Sequence, residues 1–160
     1  MRYNLPELLW PADGERVNEK RTWVARLLVA GVLFVNVQCA AQFIIWPDAY
    51  VAAYQLEGAS AKAIVRSFGI CFLMWNATYP PVVAQPERHR VLFGVAIAQQ
   101  AIGLVGETLL FLTLEPGLET LASSILRFIA FDATGLILLV IAFIITRETQ
   151  TTKSQPATSK

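Results

Sequence analysis

Four ionisable side chains stand in stretches that are otherwise apolar: Arg66, Glu107, Arg127 and Asp132. A charge in hydrocarbon costs roughly 2.5–3.5 kcal/mol even on lenient insertion scales, so each needs a partner or water. At 1.5 Å of rise per residue, Arg66 lies roughly 5 Å, Glu107 about 10 Å and Arg127 about 13 Å below the same end of their helices. Glu107 is therefore expected to pair with Arg127 or Arg66, because an isolated carboxylate at that depth is expected to take up a proton. Such a cluster is either a structural lock or a site for a small polar or anionic ligand.

Asp132 sits deeper, and the same ruler puts Asn36, Asn76, Gln99 and Gln100 within about two helical turns of its level. This second polar layer has two readings. Amides on facing membrane helices hydrogen-bond across the bundle for about 0.6 kcal/mol each, whereas a carboxylate among amides can also carry protons or bind a cation. Gln100, Gly103 and Glu107 recur at three- and four-residue spacing on one helix face, with Gly106 beside them, and the glycines permit a close neighbour. Arg127 and Asp132 are about 140° apart round their helix and should meet different neighbours.

Other chemistries lack their residues. His89 is the only histidine and lies in a basic turn, so neither bis-histidine haem nor a histidine-bound metal is expected. Cys39 and Cys71 form no CxxC pair and read as small buried apolar residues. With no serine–histidine arrangement in the apolar stretches, no phosphate loop and no paired-carboxylate motif, the chain is not expected to be an enzyme, and no catalytic residue, cofactor or metal is assigned.

The elements that position these side chains are transmembrane helices. Of 160 residues, 55% are apolar and only 16% charged, more apolar than a soluble domain of this size. The fold class expected is all-α, an integral membrane four-helix bundle with short loops. Residues 1–22 form a cytoplasmic lead-in, 23–146 the transmembrane domain and 147–160 a polar, disordered tail. The first span, 27–46, is bracketed by Trp23 and Trp46 at the headgroup boundaries. It is too long, and preceded by too much polar chain, for a cleaved secretory signal. Pro47 ends it, and the segment carrying Tyr50 and Tyr54 lies at the interface. The second span, 63–79, is stopped by Pro80 and Pro81 and carries Arg66 where its side chain can snorkel outward. The third and fourth, 91–114 and 118–145, are joined so tightly that they must be antiparallel neighbours.

Orientation follows from the basic residues. Arg2, Arg16, Lys20, Arg21 and Arg26 precede or open the first span, Arg88 and Arg90 occupy the second loop, and Arg147, Lys153 and Lys160 the tail, against Lys62 alone on the opposite face. The positive-inside rule places both termini in the cytoplasm. A net charge of +1, with the charges segregated to the connections and ends, gives no indication of nucleic-acid binding.

The stretch YQLEG…AIVRSFGICFLMWN, in which an arginine opens a short second span after an interfacial loop, and QQAIGLVGE in the third span resemble the DoxX-like group of small bacterial four-helix membrane proteins. The resemblance covers about residues 46–107. It implies a bacterial inner-membrane bundle and points to Arg66 and Glu107, without supplying a substrate. The function expected is that of an accessory or interaction subunit, with lipid and either a second copy or another membrane subunit as partners. The alternative is a carrier of a small solute, ion or proton through its intramembrane charges.

Overall fold

The computed structural model describes residues 13–153, and the side chains of 19–147. Most of the lead-in, 1–12, and the end of the tail, 154–160, lie outside the described residues. Those described are all-helical, without strands: α1 Asp13–Ile45, α2 Pro47–Ala53, α3 Gly58–Asn76, α4 Tyr79–Ala84, α5 Arg90–Leu112 and α6 Glu119–Lys153. Two expected boundaries move. Helix α1 begins inside the lead-in, and α6 runs on to Lys153, so the first seven residues of the expected tail are helical. Threonine and charged residues lower helix propensity by only a few tenths of a kcal/mol each, too little to stop a helix already nucleated.

Three helical segments are long and apolar enough to cross a membrane: Glu19–Ile45, Arg90–Leu112 and Glu119–Arg147. Their outward faces are apolar too, with Phe34, Val91, Ile102 and Leu112 each about 70–80% exposed. Water-soluble chains rarely expose apolar surface on this scale, which points to membrane association.

The expected second span takes a different form. α3 has 19 residues, about 28 Å, and Lys62 and Arg66 reduce its apolarity. Beyond Asn76 the chain does not turn away: Ala77 and Thr78 interrupt the helix, and α4 resumes it with the prolines in its first turn. Pro80 and Pro81 have no N–H for the carbonyls of Asn76 and Ala77, yet suit the start of a helix, where those donors are unpaired anyway. The proline pair thus breaks one path into two pieces and opens the second.

α1 is the common neighbour, packing on α3, α4 and α6, while α5 packs on α6 and α4. Among the described residues α3 and α5 make little contact with one another. One apolar core joins α1, α4, α5 and α6 through Val29, Tyr79, Val82, Phe93 and Leu139. A second joins α1, α2 and α3 through Phe43, Val51, Ala61 and Val65, with Tyr50, Tyr54, Phe72 and Phe128 around it. Thr22 Oγ1 donates to Glu87 Oε1 at 2.6 Å, and Arg90 donates to Thr146 Oγ1 at 3.0 Å while lying 3.8 Å over the Phe143 ring. These contacts gather the start of α1, the α4–α5 loop and the end of α6 at one end of the molecule.

The α1–α3 contact depends on Gly69. A Cβ there would lie 2.7 Å from Ile44 Cγ1, 2.8 Å from the Ala40 carbonyl oxygen and 2.9 Å from Phe43 Cβ, and a backbone oxygen cannot rotate aside. Gly94 on α5 faces open space. Gly69→Ala should therefore destabilise the purified protein by about 1–3 kcal/mol, the usual cost of overpacking, whereas Gly94→Ala should be neutral or slightly stabilising. Thermal unfolding in detergent measures both.

Candidate functional site

A cleft of about 370 Å³ lies between α3 and α5, with α1 and α6 behind it. α3 contributes Phe68, Phe72, Trp75 and Asn76, and α5 contributes Gln99, Gln100, Gly103, Glu107 and Leu110. Both sets follow helical spacing, so each is a single stripe turned toward the gap. Asn36 and Phe43 of α1 and Asp132 of α6 form the back wall. Phe68, Trp75, Ile102 and Leu110 are about half exposed or more and frame the opening, so the cleft faces sideways, between two apolar helix surfaces.

The opening has two crossbars. At the α3–α4 break, Thr78 Oγ1 donates to Gln99 Oε1 at 3.1 Å and Tyr79 Oη to Gln100 Oε1 at 3.2 Å. At the other end, Gln55 Nε2 donates to the Gly117 carbonyl at 3.3 Å and Leu121 N to Gln55 Oε1 at 3.0 Å, joining the α2–α3 link to the α5–α6 link. Gln55 holds a left-handed φ of 52° to make this reach.

The back wall is a polar crossing set into glycine notches. Gln100 Nε2 donates to Asp132 Oδ1 at 2.8 Å. A Cβ at Gly103 would lie 2.5 Å from Asp132 Oδ2, and one at Gly135 2.9 Å from Gln100 Nε2. Each glycine therefore leaves room for the polar side chain of the facing helix, rather than for its backbone. Gly106 has nothing near its missing Cβ and simply lines the cleft.

The structure gathers Asn36, Asn76, Gln99, Gln100 and Asp132 round this cavity and adds Glu107 to them. It does not form the expected ion pair. Among the described residues no salt bridge joins Glu107 to Arg127 or Arg66, and Glu107 Oε2 is buried without a hydrogen-bond partner. Arg127 lies on another face of α6, its Nη2 donating to Ser124 Oγ at 3.1 Å. Arg66 is exposed on α3, about 200° round the helix from Phe68, and lines neither the cleft nor the groove at Arg127. Depth along the axis placed the three in the same half of the bundle, but direction round the axis separates them. The cysteines also part: Cys39 is half-buried, whereas Cys71, read as buried, is exposed on α3.

Sequence reading passed over the aromatic stripe Phe68, Phe72, Trp75 and Tyr79, although its i, i+4, i+7 and i+11 spacing matches the polar stripe of α5. Thr78 was passed over as well, because only the break at residues 77–78 turns it toward Gln99.

Chemically, the cleft presents acceptors. Asn76 is 4% exposed, and its Nδ2 donates to the Phe72 carbonyl at 2.7 Å, which leaves Oδ1 as a buried acceptor without a partner. Glu107 Oε2 is a second. No lysine or arginine lines the space. Among the described residues, no three histidine, cysteine, aspartate or glutamate side chains come together as metal ligands.

An unpartnered buried oxygen costs stability, so the two carboxylates should respond oppositely to removal. Glu107→Leu deletes an unmet acceptor and should leave the empty protein unchanged or more stable. Asp132→Leu strips the partner from Gln100 and should cost about 1–3 kcal/mol. Equal losses in thermal unfolding would mark Glu107 as a structural lock. No family model, curated protein or solved structure matches this chain.

Proposed function

We propose that this chain is a four-span protein of a bacterial inner membrane, with both termini cytoplasmic, that takes up a small amphipathic amine from the lipid into the cleft between α3 and α5. The observation that carries the reading is the pair of buried oxygens, Asn76 Oδ1 and Glu107 Oε2, without partners in a cavity that also holds Asp132 and has no cation of its own. Groups of this kind are retained when something else satisfies them. An ammonium supplies several N–H donors and a positive charge, and the rings of Phe43, Tyr54, Phe72 and Trp75 suit both its apolar body and, through their faces, its charge. The sideways opening favours a ligand dissolved in the bilayer over one arriving from water.

The fourth span in this reading is α3 with α4, a discontinuous helix broken beside the polar cavity, as is common where helices line a membrane binding site. Support for the orientation comes from Arg88, Arg90 and Arg147 lying at the end where α1 starts and α6 finishes. The layout resemblance to the DoxX-like group is in keeping with it. Reporters fused near Arg88 and near Pro116 should report opposite sides of the membrane, the first cytoplasmic; the same side for both would remove α3–α4 as a span.

Binding is tested with three probes that share one apolar body: 3-phenylpropylamine, 3-phenylpropanol and 3-phenylpropanoate, titrated calorimetrically into the protein in lipid nanodiscs. The amine should bind at least tenfold more tightly than the alcohol, and the carboxylate least. Glu107→Gln should weaken the amine about 10- to 100-fold, the worth of a hydrogen bond to a charged group, while sparing the alcohol. Equal binding of all three, or no effect of Glu107→Gln, would sink the reading. Carriage is read separately, from amine accumulation in proteoliposomes. The accessory-subunit reading keeps one observation of its own, the unpacked α3–α5 seam, and predicts that a cysteine placed at Ile102 crosslinks to a second copy or another subunit in native membranes.

A further inference from the structure

Behind the same bundle lies a space of opposite chemistry. A groove of about 570 Å³ runs between α1 and α6 beneath α2. Its walls include Val35, Phe128 and Phe131, and its polar groups are Arg127, Gln38, Gln42, Cys39 and Tyr50. The edge-on contact of Phe43 with Phe128, 6.0 Å between centroids, stands between the two spaces, since Phe43 lines the cleft and Phe128 the groove.

The charged group of the groove is a donor, where the ionisable groups of the cleft are carboxylates. Arg127 is its only charged residue, and among the described residues no carboxylate pairs with it. Its bond to Ser124, one turn back along α6, draws the guanidinium toward the α2 end, with the other N–H groups left for a second partner. Tyr50 Oη donates to Gln42 Oε1, which fixes the Gln42 amide with its two N–H donors free. Burial raises the Tyr50 hydroxyl above its ordinary value, so it remains a neutral donor in this arrangement.

Position names the source of the anion. Trp46, 61% exposed, closes the groove at the α2 end, where an indole marks the headgroup boundary. From Trp46 the groove follows α1 to Val35, about 16 Å, its deeper walls mainly apolar with Val35, Phe128 and Phe131, and Gln38 at their edge. A water-borne anion would leave that length unfilled, whereas an acyl chain fills it. We infer that the Arg127 groove is a binding site for an anionic phospholipid, with the phosphate on Arg127 and Gln42 and one acyl chain lying along Val35, Phe128 and Phe131. This site is independent of the amine reading of the cleft, since it shares neither Glu107 nor Asp132.

The test uses the detergent-purified full chain and native mass spectrometry, titrating dioctanoyl phosphatidylglycerol against dioctanoyl phosphatidylcholine. Phosphatidylglycerol should be retained at least tenfold better. Arg127→Gln should erase that preference, Arg127→Lys should keep part of it, and Arg66→Gln, an exposed arginine outside the groove, should keep all of it. Val35→Trp, which fills the groove with Arg127 in place, should lower retention of both lipids and keeps the test decisive if Arg127→Gln fails to fold. Inorganic phosphate at millimolar concentration should not displace the lipid. The assignment is overturned if Arg127→Gln keeps the preference, if Arg66→Gln loses it equally, if Val35→Trp binds as the parent does, or if phosphate alone competes.

Discussion

The hydrogen bond from Gln100 to Asp132 is the interaction on which the middle of this molecule depends. It joins α5 to α6 at the level where the apolar cores at either end give way to polar side chains, and it exists because Gly103 and Gly135 clear a notch for each partner. Leaving either group buried and unmet would be costly, which favours an approach of the two helices close enough for the bond to form. That approach fixes α5 on α6. α1, packed on α6, is fixed with them, and Gly69 then sets α3 against α1. The chain of contacts runs α5, α6, α1, α3 and stops, leaving the fourth side of the bundle unpacked.

An unpacked side explains why Glu107 and Arg127 do not neutralise one another. A closed four-helix ring turns every polar stripe toward one axis, where Glu107 and Arg127 would meet. Here the polar stripe of α5 faces the gap, while α6 serves two spaces from two faces, presenting Asp132 to the cleft and Arg127 to the groove. Opposite charges end up in separate compartments with rings between them. Unpaired ionisable groups in a low dielectric are costly, which is why the two spaces bear on the function proposed above.

How much of this was legible follows from what each sequence rule measures. Axial rise is nearly invariant, so a ruler along the helices placed Asn36, Asn76, Gln99 and Gln100 within about two helical turns of Asp132, and these residues do surround one cavity. Azimuth depends on which helices are neighbours, a property of the whole assembly, so the same ruler brought Glu107 to Arg127 when they face different ways. The angle of about 140° between residues 127 and 132 already held part of the answer. Prolines gave a break at the right place but not its meaning, since loss of an N–H ends one helix and suits the start of another. The polar composition of the tail was read as disorder, although α6 runs on to Lys153, and α1 starts at Asp13, inside the lead-in.

The crossbars determine how such a cleft can be entered. Swinging α3 away from α5 would break the Thr78–Gln99 and Tyr79–Gln100 bonds at one end, where they are at least partly buried, and the exposed ones of Gln55 at the other. At about 0.6–1.7 kcal/mol for each interhelical bond, opening both ends is far costlier than turning a side chain between rotamers. Phe68, Trp75, Ile102 and Leu110 fill the frame between the crossbars and are exposed enough to turn. Access to the cleft therefore belongs to side-chain rotation within a fixed frame, and the frame sets the width of what could pass. A slender apolar body ending in a compact polar head can pass between two helices tied at both ends, while a branched or multiply ringed one meets backbone that the crossbars hold in place.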